Sequence, residues 1–141
     1  MKARKKILVI DDEKMNIMTL AHFFKNKYEV VVAVDGASGL ETAEKHIPDL
    51  ILLDIIMPDI SGFDVLIKLK ESEITRNIPV IFITGLDNPD DEAKAFSLGA
   101  VDYLIKPFNK TIVTIRVETQ LKLIEYARII EELKKEIQNN N

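Results

Sequence analysis

Leu50-Ile51-Leu52-Leu53-Asp54-Ile55-Ile56-Met57-Pro58-Asp59-Ile60-Ser61-Gly62 runs four apolar residues into a lone carboxylate, then into a stretch containing Pro, Asp, Ser and Gly. The first part has the length and composition of a short strand, and the second is turn chemistry. A strand without polar alternation is one covered on both faces, which is the situation of strands in a parallel sheet. Working outward, four more short apolar runs occur: Ile7–Ile10, Val30–Val34, Val80–Ile83 and Val101–Ile105. The segments between them carry apolar residues at helical spacing: Ile17, Leu20, Ala21 and Phe24, then Leu40, Ala43 and Ile47, then Phe63, Leu66 and Ile67. Each such stripe can pack on a sheet. A fourth helix is predicted to open at Pro89, with Asn88 as cap and Asp90, Asp91 and Glu92 at its positive end, although its apolar stripe is thin. The order is a βα unit repeated five times. Right-handed crossovers turn that order into an open, doubly wound parallel sheet with helices on both sides, an α/β fold.

In such a sheet all strands end at one edge, and ligands sit beyond those carboxyl ends, where the strand order reverses. The first run is followed by Asp11 and Asp12, the third by Asp54, the fourth by Thr84 and the fifth by Lys106-Pro107. Taken singly, each has an ordinary explanation. Asp12 could cap the first helix and Asp11 could be a solvated turn residue. Asp54 could close an Asx turn ahead of Pro58, and Thr84 and Lys106 could be plain loop and surface residues. Together they are harder to dismiss, because two carboxylates ~4 Å apart repel by ~4 kcal/mol at a surface-like dielectric. A divalent cation compensates most economically. Mg²⁺ takes oxygen ligands, typically one or two carboxylates together with a phosphate, and the rim has no His or Cys to make a zinc site. In such a site Asp54 can attack a phosphoryl group as a carboxylate nucleophile, while Lys106 and Thr84 meet the charge on the transferred oxygens.

Composition sets the bounds on this reading. The chain has 141 residues, 47% of them apolar and 30% charged, with a formal net charge of -4. That is room for one ordinary domain and a short appendage, and nothing in the balance calls for nucleic acid. There is no cysteine, so disulfides, thiol nucleophiles and thiolate metal sites are excluded and a cytoplasmic setting is expected. The basic start, Met1 to Lys6, is followed by an apolar run that Asp11, Asp12 and Glu13 cut short, so neither a signal peptide nor a membrane span is expected.

Over residues 5–121 the chain resembles the receiver domains of bacterial two-component response regulators. The residues that carry the resemblance are Ile7-Leu8-Val9-Ile10-Asp11-Asp12-Glu13, Leu52-Leu53-Asp54-Ile55-Ile56-Met57-Pro58 with Gly62 following, Phe82-Ile83-Thr84-Gly85, and Gly99-Ala100-Val101-Asp102-Tyr103-Leu104-Ile105-Lys106-Pro107-Phe108. The resemblance implies a flavodoxin-like (βα)5 sheet in the order 2-1-3-4-5. It implies Asp54 as the site phosphorylated from a sensor histidine kinase or phosphotransfer protein. It also implies Asp11, Asp12, Asp54 and the backbone of Ile56 as the Mg²⁺ site, Thr84 and Tyr103 as a switch pair, and Lys106, before a cis Pro107, as the phosphoryl partner. The face of the fourth helix, fifth strand and fifth helix would change on phosphorylation. Such a domain is not an enzyme on other substrates. Ile56 and Leu86 offer no polar side chain to position an attacking water, so a long-lived phosphoryl group is expected.

Residues 122–141 form a helical extension in this reading. Leu123, Tyr126, Ile130, Leu133 and Ile137 follow the 3-4-3-4 spacing of a coiled-coil seam for about two heptads. A homodimer through this helix is expected, as a stalk to an output domain outside the chain, with no direct contact to nucleic acid or membrane. The alternative is a receiver-like dimerisation module that is never phosphorylated, against which the intact acids, Thr84 and Lys106 argue. A flavin binder would want a Ser/Thr/Gly-rich loop where Asp11-Asp12-Glu13 stands, and a haloacid-type phosphatase a second Asp at Ile56.

Overall fold

The computed structural model describes residues 4–140; Met1–Ala3 at the basic start and Asn141 at the end of the extension lie outside the described residues. The elements are β1 (Lys6–Ile10), α1 (Lys14–Phe24), β2 (Glu29–Ala33), α2 (Gly36–His46), β3 (Leu50–Leu53), α3 (Gly62–Glu71), β4 (Val80–Thr84), α4 (Pro89–Ser97), β5 (Asp102–Ile105) and α5 (Lys110–Asn139). The five strands form one sheet in the order β2-β1-β3-β4-β5, every neighbouring pair parallel. This is the doubly wound α/β architecture and the strand order expected above. No helix among the described residues is long and apolar enough to cross a membrane.

Because side chains alternate along a strand, the sheet feeds two cores. Leu8, Ile10, Ile51, Leu53, Val80 and Phe82 point to one side, where they meet Ala43 of α2, Phe63, Val65, Leu66 and Leu69 of α3 and Ala95 of α4. Ile7, Val9, Leu50, Leu52, Ile81 and Ile83 point to the other, onto Ile17, Leu20 and Phe24 of α1 and Val113, Val117 and Leu121 of α5. β1, β3 and β4 are buried almost throughout, so their continuous apolar runs are explained.

Several details differ from the sequence expectation. β2 begins one residue earlier and β5 one residue later than their apolar runs. β2 is also an edge strand: Val32 and Val34 are exposed, so an apolar run there did not mean cover on both faces. Ile47 is exposed because it is the left-handed C-cap of α2 (φ 46°), outside the helical stripe. The core-facing side of α2 is instead Gly36, Gly39 and Ala43. A Cβ at Gly39 would lie 2.6 Å from Ile10 Cδ1, so small residues are what let α2 approach the sheet. Ile67 is exposed on α3, where Val65 and Leu69 take the inward positions. α4 is capped by Asn88, whose side chain accepts the Asp90 amide at 2.8 Å, and buries only Ala95. α5 continues without a break from the domain into the extension, and Leu121 is the last buried residue on it among the described residues.

Candidate functional site

The parallel register brings the carboxyl ends of β1, β3, β4 and β5 to one rim, and with them residues 11, 54, 84 and 106. Asp11 and Asp54 are 2% and 5% exposed, so Asp11 is not a solvated turn residue. Asp12 is exposed, and it is not the cap of α1: that position belongs to Glu13, which makes no side-chain cap bond. Asp11, Asp12 and Asp54 each place a carboxylate oxygen within 4.8 Å of the others. This is the close gathering of like charge that required compensation.

Part of the compensation is present. Lys106 Nζ donates to Asp54 Oδ2 at 2.9 Å and to Asp11 Oδ2 at 3.1 Å. The Lys106–Pro107 peptide is cis, as expected. Burial pulls the Lys106 ammonium down, but its hydrogen bond to Asp54 and the charges of Asp54 and Asp11 outweigh this and hold it above its ordinary value. Burial pushes the Asp11 carboxyl up, and Asp54 adds to the effect, against the opposing hydrogen bond from the Glu13 amide (2.9 Å) and the Lys106 charge. One ammonium therefore does not make ionisation of Asp11 free of penalty. The second oxygen of Asp54, Oδ1, accepts the Ile55 amide at 2.7 Å.

The donor set suits a hard divalent cation. All three side chains offer oxygen, none offers nitrogen or sulfur, and the under-compensated charge favours a cation. The Ile56 side chain is 61% exposed and turned out of the core, so only its backbone is available to such a site.

Thr84 is fully buried at the end of β4, and its hydroxyl accepts the Leu86 amide at 3.3 Å. Tyr103 is buried although it stands on the edge strand β5. It is 6% exposed, lies against Phe82 with ring centroids 6.3 Å apart, and its hydroxyl donates to the Leu86 carbonyl at 2.7 Å. Thr84 and Tyr103 thus grip the same residue, one at its amide and one at its carbonyl. Burial, reinforced by Asp91, Glu92, Asp87 and Asp54, pushes the Tyr103 phenol up to about 12. His22 and His46 are exposed on α1 and α2, away from the rim.

Two contacts were not anticipated. The Leu86 carbonyl is one, and no side-chain pattern announces it. Asp59 is the other: its carboxylate accepts the amides of Gly36 (3.0 Å) and Ala37 (2.8 Å) at the start of α2. In sequence it was one more turn residue in a Pro-Asp-Ile-Ser-Gly run.

A family model described as the response regulator receiver domain matches residues 7–118. The chain is 41% identical over 116 residues to a probable cyclic di-GMP phosphodiesterase of Vibrio cholerae, covering 82% of this chain and 26% of that protein. It is 40% identical over 130 residues to the response regulator PleD of Caulobacter vibrioides, covering 92% and 28% respectively. With the alkaline phosphatase synthesis transcriptional regulatory protein PhoP of Bacillus subtilis it shares 37% identity over 132 residues, covering 92% and 54%. The chain thus spans between about a quarter and a half of these relatives. Among solved structures it is similar to the signal receiver domain of a putative Luxo repressor protein of Vibrio parahaemolyticus (TM-score 0.85, 27% identity, 91% of this chain and 98% of that one). It is also similar to the chemotaxis protein CheY4 of Vibrio cholerae (TM-score 0.79, 27% identity, 83% and 98%).

Proposed function

Since the chain belongs to the response regulator receiver family, we propose that Asp54 accepts a phosphoryl group from the phosphohistidine of a sensor histidine kinase or phosphotransfer protein, and that the domain reports this to an output. The observation that carries the proposal is the arrangement at Asp54: a buried carboxylate, bonded by Lys106 and crowded by Asp11 and Asp12, at the sheet edge where ligands of this fold sit. Asp11, Asp12, Asp54 and the Ile56 carbonyl would hold Mg²⁺, which supplies charge neutralisation for the incoming phosphoryl oxygens.

The chain's own residues do the rest. The Ile55 amide and Lys106 hold the two oxygens of Asp54, so the carboxylate is oriented before a donor arrives. An oxygen of Asp54 forms a bond to phosphorus as the donor's P–N bond breaks, the pair of electrons leaving with the imidazole. Lys106, freed from one carboxylate oxygen, takes a phosphoryl oxygen, and the Thr84 hydroxyl donates to another. That pull on Thr84 acts on Leu86, which Tyr103 holds from the other side, so the β4–α4 loop and the thinly packed α4 respond. The domain catalyses only its own phosphorylation and dephosphorylation. Ile56 and Leu86 leave hydrolytic water without a polar guide, and the phosphoryl group should persist for minutes or longer.

The division into a receiver over 5–121 and a helical extension over 122–141 belongs to the same proposal, supported by the end of burial on α5 at Leu121. So does a homodimer through the extension: Leu123, Tyr126, Ile130, Leu133 and Ile137 are all exposed on one face of a continuous helix. A cytoplasmic setting suits the cysteine-free composition.

The test is intact mass after incubation with Mg²⁺ and a small-molecule phosphodonor. Wild type should gain one phosphoryl group and Asp54→Asn none. Equal labelling of both, or of neither, overturns the proposal.

A further inference from the structure

Asp59 stands three residues beyond Ile56, outside the acid cup, yet it ties the cup's loop to another element. Its Oδ1 accepts the Gly36 amide at 3.0 Å and its Oδ2 the Ala37 amide at 2.8 Å. Those are orphan donors of the first turn of α2. The local cap of α2, Asp35, accepts a different amide of that turn, Ser38, at 2.8 Å. One helix end is therefore served by two carboxylates, and the second comes from the segment that starts at Asp54.

The approach is built into the neighbouring residues. A Cβ at Gly36 would lie 2.4 Å from Ile60 Cγ1, so a residue without one lets Asp59 and Ile60 settle against the helix end. At its far end the loop is pinned a second time. The Gly62 amide donates to the Ile55 carbonyl at 2.7 Å, and a Cβ at Gly62 would lie 2.2 Å from the Asp54 carbonyl oxygen. Between Ile55 and the Asp59 pin lie Ile56, Met57 and Pro58, which belong to no helix or strand. Their backbone has no ladder to hold it. The Gly36 and Ala37 amides also keep the Asp59 carboxyl below the ordinary carboxylate range, so it is a charged clamp at neutral pH.

We infer that Asp59 is a positioning residue for the acid cup: by clamping the Asp54–Gly62 loop to the N-terminus of α2, it fixes the backbone of Ile56 where a divalent cation can use it. The inference rests on the reading of Asp11, Asp12, Asp54 and Ile56 as a Mg²⁺ site. Asp59 acts on the cation through the loop and without touching it, as outer partners of metal ligands do.

Mg²⁺ itself is the probe. The chain has no tryptophan, so affinity is followed by amide NMR shifts in the unphosphorylated full chain, with thermal unfolding recorded beside it. Asp59→Ala should weaken Mg²⁺ binding about tenfold, and Asp59→Asn, which keeps one of the two acceptors, should recover only part of that loss. Asp35→Ala removes a cap from the same helix without touching the loop; it should lower the unfolding temperature while leaving Mg²⁺ affinity within about twofold of wild type. Wild-type affinity in Asp59→Ala, or an equal loss in Asp35→Ala, overturns the clamp and leaves the cation site standing. Failure of the wild type to bind Mg²⁺ overturns the cation site and the clamp with it.

Discussion

Lys106 holds two buried carboxylates at the cost of its own desolvation, and removing it exposes what the cup costs. Lys106→Ala leaves Asp11 and Asp54 facing each other without a cation, and should destabilise the apo domain by about 2 kcal/mol in urea unfolding. Mg²⁺ should restore more stability to this variant than it adds to wild type. For Asp11 the folded pKa is raised, so its contribution favours the fold in acid and is lost as pH rises through that pKa. At neutral pH the ionised cup is therefore a liability that a cation relieves. At ten times its Kd, Mg²⁺ adds about 1.4 kcal/mol, or about 5 °C in unfolding temperature for a domain of this size. EDTA should reverse the shift, and Asp12→Ala should abolish it. Tyr103 gives a second titration. Its phenol is raised to about 12, so the neutral form is favoured in the fold, and its contribution is complete below about pH 10 and lost as pH approaches 12. Ultraviolet difference titration should show a late-ionising phenol that Tyr103→Phe removes.

Among the elements, α2 and the β3–α3 loop meet through glycines, and the two sites differ in what a methyl group would strike. At Gly36 it strikes the Ile60 side chain, which can move; at Gly62 it strikes the Asp54 and Ile55 backbone, which cannot without disturbing the acid. Gly36→Ala should therefore cost about 1–2 kcal/mol and Gly62→Ala more than about 3, measured by urea unfolding, and Gly62→Ala should also lose phosphorylation at Asp54. Most of this level was legible in the chain. Short continuous apolar runs located the strands, helical spacing located α1 to α3, and cap chemistry located the start of α4, because each element must bury one face or two. The misplacements have local causes: β2 is an edge strand, Ile47 has turned into a left-handed cap, and the inward face of α2 is made of glycine and alanine, which carry little hydrophobic signal.

At the scale of the molecule, α5 carries two faces with different duties. Val113, Val117 and Leu121 close the core beside α1, whereas Leu123, Tyr126, Ile130, Leu133 and Ile137 face solvent. With Ile at two a-type positions and Leu at a d-type position, the exposed seam favours a parallel pair. Sedimentation should show a dimer, and Ile130→Asp with Leu133→Asp a monomer that still labels at Asp54. An unchanged dimer in that variant would remove the extension from the interface.

By itself the sequence determined the αβ alternation, the sheet edge at which Asp11, Asp12, Asp54, Thr84 and Lys106 would gather, and the exposed seam of the last helix, because periodicity and strand ends are local properties of a chain. Only the tertiary structure decided that Tyr103 is buried with its hydroxyl on Leu86 and that Asp59 binds the start of α2. Those contacts join residues from different elements, one of the partners is usually a backbone amide or carbonyl, and backbone groups are the same at every position of a sequence until folding chooses which of them a side chain can reach.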